Sequence, residues 1–268
     1  MNSYIDFHTH AFPDNIAEKA IKSLTEHSGK YKPYTDGKIS SLLNSMDIAK
    51  IDKAFIANIA TKAEQFSPIM SWSKTIKSER LIPLASVHPK SKNLRSEFEN
   101  IVIDGIPGIK LHPMYQNFKI DDSIMFDIYS MAQDLGLFVI FHSGHDIAFP
   151  GNDNASPARL RVIIENFPRL TIISTHCGGW DDYNTALEYV IGTEIFLETS
   201  FISELNLSEI DTILKKHNPD KILFGSDSPW LDQKSEVLFI ENLNISDDLK
   251  EKILFKNASM FFCSTKSH

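Results

Sequence analysis

Seven of the ten histidines stand directly after short apolar runs. His8 and His10 close the first run as Asp6-Phe7-His8-Thr9-His10, and His88 and His112 follow the third and fourth. His142 and His145 follow the fifth run, and His176 the sixth. Asp227 follows the eighth run within Gly225-Ser226-Asp227-Ser228-Pro229. Only His27, His217 and His268 fall elsewhere. Neutral imidazole nitrogens completed by a carboxylate oxygen suit Zn²⁺, Fe²⁺ or Mn²⁺. Residues i and i+2 of a strand point the same way, so His8 and His10 can address one ion.

Taken singly, each residue has a plainer role. An isolated histidine after a strand is commonly a turn or core residue, and Asp227 alone reads as turn chemistry. His88 and His112 precede proline and can simply shape a loop. Cys177 reads as a small buried hydrophobe, and Trp180 and Trp230 as packing residues. The joint placement of all these groups at run ends is what the plain readings do not explain.

The elements that must position them are short and buried. Residues 4–7, 53–59, 81–87, 108–111, 137–141, 170–174, 194–199 and 221–224 are apolar, β-branched and without strict alternation. That is the pattern of parallel strands covered on both faces. Helix-like segments lie between them, at 15–24, 38–49, 66–76, 93–101, 123–135, 156–166, 183–190, 208–217, 234–243 and 246–262. Pro157 after Ser156 fits a first helical turn. Eight strand–helix units in 268 residues predict a single (β/α)8 barrel domain over residues 1–268, with a doubly wound open sheet as the alternative. In such a barrel the chemistry sits at the C-terminal ends of the strands, where these histidines are.

Composition narrows the function. A hydrophobic share of 42% and a charged share of 23% are globular values. The net charge of −8 argues against a general nucleic-acid binder. Cys177 and Cys263 cannot build a disulfide framework. No secretory leader pattern and no apolar stretch of about 20 residues is visible, so a cytoplasmic protein away from membranes is expected.

The stretches IDFHTH, GIKLHP, FHSG, THCGG and FGSDSP, in this order, resemble the amidohydrolase superfamily. The resemblance is to the amidohydrolase-related branch that also holds aminocarboxymuconate semialdehyde decarboxylase-like enzymes. It spans residues 5–262. It implies a distorted (β/α)8 barrel with one divalent metal, commonly zinc, with manganese or iron as alternatives. By position, His8, His10, His142 and Asp227 would be the ligands, and His176 a catalytic group beside the metal. Lys110 stands where two-metal members carry a carboxylated lysine; a single metal is the preferred reading.

The chemistry this implies is hydrolysis. A bound ion generates hydroxide at neutral pH, Asp227 takes the water proton, and His176 steadies the developing negative charge. Lys110, His112, His145 and Arg159 are the expected contacts for a small-molecule substrate, and a homodimer is compatible with the fold. Non-oxidative decarboxylation on the same site is the alternative. Specificity is expected from residues 23–36 and 146–155.

Overall fold

The computed structural model describes residues 4–259. Cys263, His268 and the last residues of the expected closing helix lie outside them.

Eight parallel strands alternate with helices. They are β1 (Tyr4–Thr9), β2 (Ile51–Ile56), β3 (Leu81–Pro83), β4 (Gly108–Leu111), β5 (Phe138–Phe141), β6 (Ile172–Ser174), β7 (Phe196–Glu198) and β8 (Ile222–Leu223). Two ladders result, β1-β2-β3 and β4-β5-β6-β7-β8. Isolated bridges join them into a closed barrel. On one side Ala85 pairs with Ile109, and Lys110 N donates to Ala85 O at 2.8 Å. On the other side Thr9 pairs with Ser228. There Phe7 N donates to Phe224 O, and Asp227 N to His8 O, each at 2.8 Å.

β3 is shorter than its apolar run. Pro83 has no N–H to give, and after it the chain changes partner from β2 to β4. This accounts for the gap in the ladder at that point.

The continuous apolar character of the strands reflects two buried sides. Ile5, Phe7, Phe55, Phe138, Ile140, Ile173 and Leu223 fill the barrel interior. Phe7 and Phe55 stack at 3.9 Å between ring centroids, and Phe138 closes on Phe55 edge-on at 6.0 Å. Their neighbours Ile56, Ile109, Val139, Phe141, Ile172 and Leu197 face the opposite way, into the larger core shared with the helices. Each fully buried phenylalanine contributes about 1.5–3 kcal/mol over an exposed one.

The surrounding helices are α1 (Asp14–Thr25), α2 (Ile39–Ala49), α3 (Phe66–Ile76), α4 (Leu94–Ile103), α5 (Phe126–Asp134), α6 (Pro157–Asn166), α7 (Tyr183–Tyr189), α8 (Leu207–Lys216), α9 (Gln233–Asn242) and α10 (Asp247–Glu251). Pro157 opens α6 as expected. A reciprocal Asn206–Glu209 capping box starts α8, and Asp232 and Ser246 cap α9 and α10. The expected continuous helix from residue 246 instead widens into a π-type turn over Lys252–Lys256. No helix among the described residues is long and apolar enough to cross a membrane.

Candidate active site

β1 aims the first histidines. Ile5 and Phe7 face the barrel interior, so strict alternation would send Thr9 inward and His8 out. The register against β2 slips between Asp6 and Thr9: Asp6 pairs with Ala54 and Thr9 with Ile56. The extra residue in β1 is a bulge that changes the phase of the strand. His8 thereby reaches the barrel mouth beside His10, with ring centroids 5.0 Å apart. Asp6, fully buried, pins the bulge from below. Its carboxylate accepts from His8 N, Ser226 N, Ser226 Oγ and Gln233 Nε2. Burial nevertheless raises that carboxyl to about 6.

His8, His10 and Asp227 come together, with ligand atoms within 4.8 Å of one another. Asp227 Oδ1 lies 3.3 Å from His8 Nε2 and 3.0 Å from His10 Nε2. His8 Nδ1 donates to Glu198 Oε2 at 3.0 Å, which leaves Nε2 as a lone pair. Lys110 Nζ lies 3.1 Å from that nitrogen. Asp227 Oδ1 is buried and makes no hydrogen bond. An imidazole lone pair and a carboxylate oxygen thus face each other without a proton between them. A cation is the partner this donor set fits, and the carboxylate behind His8 is the support that ligating imidazoles need.

Glu198 extends that support across the barrel. It is fully buried at the end of β7, and its Oε2 also accepts from Ser200 Oγ at 2.8 Å. Ser200 Oγ in turn lies 2.7 Å from His176 Nδ1. The His176 Nδ1 proton therefore points to Ser200, and Nε2 faces His142 Nδ1 at 3.1 Å. Gly225 makes room for the acid, because a Cβ there would occupy the position of the Glu198 carboxyl. Burial pushes Glu198 up and the Lys110 ammonium down, and it holds His8 and His176 well below the ordinary imidazole range. All of these imidazoles are neutral at pH 7 and available as ligands or bases. His176 (φ 56°) and Asp227 (φ 54°) both sit in left-handed backbone, at a cost of order 1 kcal/mol or more each.

A second group of similar composition lies across the mouth: His112, His142 and Asp146. The rings of His112 and His142 stack at 4.1 Å and 12°. His112 Nε2 is 3.2 Å from Asp146 Oδ2, while the other carboxylate oxygen accepts from Ala148 N at 2.7 Å. His142, expected as a ligand beside His8 and His10, stands between the two groups: it meets Asp146 here, and its Nδ1 lies 3.1 Å from His176 Nε2. Its Nε2 donates to the His145 carbonyl at 2.9 Å.

Both groups line one cavity of about 630 Å³, with His8, His10, Lys110, His176 and Asp227 at its floor on the strand ends. Its remaining lining is largely apolar: Phe12, Ile16 and Leu24 from the α1 region, Trp72 from α3, and Tyr115, Trp180, Phe201 and Trp230 from the loops, with Asn58, Thr61 and Gln65 as polar members. All three tryptophans of the chain line it, so Trp180 and Trp230 are not the plain packing residues expected. Gly144 (φ 89°) lets the β5 loop lie against the Trp180 backbone, where a side chain would collide. Both predicted specificity segments contribute, through His27, Ser28 and Tyr31 and through Asp146, Ile147 and Ala148.

Other expected contacts are placed elsewhere. Arg159 does not line the cavity; its guanidinium is held by Asp121 at 2.8 Å and Asp153 at 2.7 Å. The His145 side chain also stays out of the lining, and its contribution is the carbonyl that holds His142. His88 accepts from Lys90 N at 3.1 Å and shapes its loop. Lys110 and His112 do line the cavity. The sequence reading missed Asp6, Glu198 and Ser200 and gave Asp146 only as the start of a specificity loop; the placement of Glu198 at a strand end was the one available signal.

Solved structures similar to this chain share the barrel. An uncharacterized TIM-barrel protein of Bordetella bronchiseptica superposes with a TM-score of 0.78 at 18% identity, covering 98% of this chain and 99% of that one. A 5-carboxyvanillate decarboxylase of Novosphingobium aromaticivorans, complexed with manganese and 4-hydroxy-3-methoxy-5-nitrobenzoic acid, gives 0.72 at 14% identity, covering 97% and 96%. A 2,6-dihydroxybenzoate decarboxylase from Rhizobium gives 0.69 at 13%, covering 98% and 99%. A search of curated proteins found no match. The Amidohydrolase family profile matches residues 5–262, nearly the whole length, and the chain belongs to that family.

Proposed function

We propose that this chain is a metal-dependent decarboxylase of small hydroxylated aromatic acids. The observation that carries the reading is the division of the cavity. His8, His10, Lys110, His176 and Asp227 stand together at the strand ends, and most of the remaining lining is aromatic or aliphatic, with His27, Asn58 and Gln65 among the polar exceptions. A flat, apolar body with its acid end down fits that division. The structural likeness to aromatic-acid decarboxylases supports the same substrate class.

His8, His10 and Asp227 would hold one divalent ion, zinc or manganese, with His142 the further ligand expected from sequence. When bound, the ion supplies a Lewis acid that polarises the substrate oxygens. Lys110 Nζ lies 3.1 Å from His8 Nε2 and lines the same cavity, and a single metal is the reading carried over from the sequence. Asp227 takes up the proton of the substrate's ring hydroxyl on binding and delivers it to the ring carbon that bears the carboxylate, leaving a phenolate that water reprotonates after release. The bond to the carboxyl carbon then breaks, its electron pair returns to the ring, and CO₂ leaves. His176, oriented through Ser200 and Glu198, steadies the charge that builds on the ring oxygens. The walls exclude water and strengthen these interactions.

Hydrolysis is the second reading. One observation favours it: the buried Asp227 Oδ1 has no hydrogen bond and is free to take a proton from water.

The test is turnover of 2-hydroxybenzoate and 2,6-dihydroxybenzoate by protein reconstituted with Zn²⁺ or Mn²⁺ in D₂O. Decarboxylation releases CO₂ and leaves deuterium on the ring carbon. A hydrolase instead incorporates ¹⁸O from labelled water into the acid released from an ester or lactone. No CO₂ from either acid, with metal content intact, would remove the decarboxylase reading.

A further inference from the structure

Lys110 is the single lysine or arginine among the described residues that line the cavity. It is itself 1% exposed and engaged with His8, so it belongs to the floor and offers nothing to the walls. The one arginine expected to contact an anion, Arg159, is spent on Asp121 and Asp153 outside the cavity. What the loop after β5 does carry is a negative group. Asp146 lines the cavity, its carboxylate fixed by His112 and the Ala148 N–H. A substrate with its acid end on the floor thus presents the rest of its body to aromatic walls and to a carboxylate.

On these grounds we propose that the site selects monoanionic aromatic acids and rejects those bearing a second carboxylate away from the reacting one. The proposal rests on the aromatic-acid reading above and adds to it a charge limit. A second carboxylate away from the reacting one meets a largely aromatic and aliphatic lining with no lysine or arginine in it besides Lys110, and the Asp146 carboxylate lines the same space. Desolvation and like-charge proximity both oppose it. Rejection by an unmet charge discriminates more sharply than a fit of size.

The experiment is calorimetric binding to metal-loaded protein, so that the readout is independent of turnover. Three probes differ at one ring position: 2-hydroxybenzoate, 2-hydroxy-5-nitrobenzoate and 4-hydroxyisophthalate. The nitro group matches the second carboxylate in shape and lacks its charge. The first two are expected to bind, and the isophthalate to bind about 100-fold more weakly than its nitro counterpart or worse. Ile147 lines the cavity and is 38% exposed, so Ile147→Arg adds a cation without disturbing the core. That variant should bring the isophthalate to within about 10-fold of the nitro acid, and Asp146→Asn should shift the ratio the same way. Equal binding of isophthalate and nitro acid in the wild type overturns the charge limit alone. Equal weakness of the two substituted acids beside a binding parent means size decides, and overturns it too. If none of the three binds, the aromatic-acid reading falls and this inference falls with it.

Discussion

Two groups at the mouth of this barrel have the same composition, two histidines and an aspartate, and opposite organisation. In the His8–His10–Asp227 group a buried carboxylate holds the far nitrogen of His8, and an aspartate oxygen is left without a hydrogen bond. In the His112–His142–Asp146 group both aspartate oxygens have partners, and it is His112 Nδ1 that is buried and unmet. The His112 and His142 rings stack in parallel, with their Nε2 atoms 3.2 and 3.8 Å from Asp146 Oδ2, whereas the His8 and His10 rings meet edge-on. The difference teaches that ligand chemistry is decided by what stands behind the imidazoles. The first group is arranged to receive a cation; the second is arranged to hold a loop and line a pocket.

The sharpest way to break this contrast is Asp227→Asn. Its amide oxygen can still coordinate but cannot take up or deliver the proton at neutral pH. The expected result is a fall in kcat of about 10²–10⁴ with a smaller change in KM. Wild-type kcat in this variant would show that the proton travels through another group, His176 first. Next in size is Glu198→Gln, which removes the charge behind His8 while keeping the shape. Loss of an outer partner of a ligating histidine lowers metal affinity by about 10–100-fold. Competition with a chelator measures it directly, and unchanged affinity would make Glu198 a packing residue.

Glu236 gauges what burial alone does to an acid that belongs to neither group. Ser203 Oγ donates to one oxygen at 2.8 Å, the other has no partner, and burial raises the carboxyl to about 7. Its folded pKa lies above the unfolded one, so the folded state holds the extra proton. Stability is therefore full near pH 4 and is lost as pH rises toward 7. Glu236→Gln should unfold at a higher temperature than wild type at pH 8, by up to about 3 kcal/mol, and show no gain at pH 4.5. A gain that is equal at both pH values would assign the effect to packing. The smallest effect is expected from Asp146→Asn. Metal content should stay within about twofold of wild type, since no ligating imidazole of the first group leans on it. Elemental analysis that shows metal lost here would place the ion in the second group.

Much of this was legible in the sequence because parallel strands buried on two sides leave an unbroken apolar trace. All eight were visible, and so was the clustering of histidines at their C-terminal ends. The ends themselves blurred where backbone bonding, rather than burial, sets the boundary, as at Pro83. The bulge in β1 leaves no compositional mark, since it is a property of pairing with β2. Asp6 and Glu198 were passed over because an acid within an apolar strand gives no hint of which groups it will meet. Arg159 was misplaced for the converse reason: Asp121 lies 38 residues away in the chain, and Asp153, only six away, reaches it through the turn before α6.

The bulge in β1 has a consequence for how this chain can change. It acts as a phase shifter between two sets of demands on one strand. Below it, Ile5 and Phe7 answer to volume and can be exchanged for side chains of similar bulk. Above it, His8 and His10 answer to direction. The extra residue decouples the two, so repacking beneath need not re-aim the imidazoles. The same device is a point of fragility, because deleting a single residue between Asp6 and Thr9 would restore strict alternation and turn His8 away from the mouth while leaving every other strand intact.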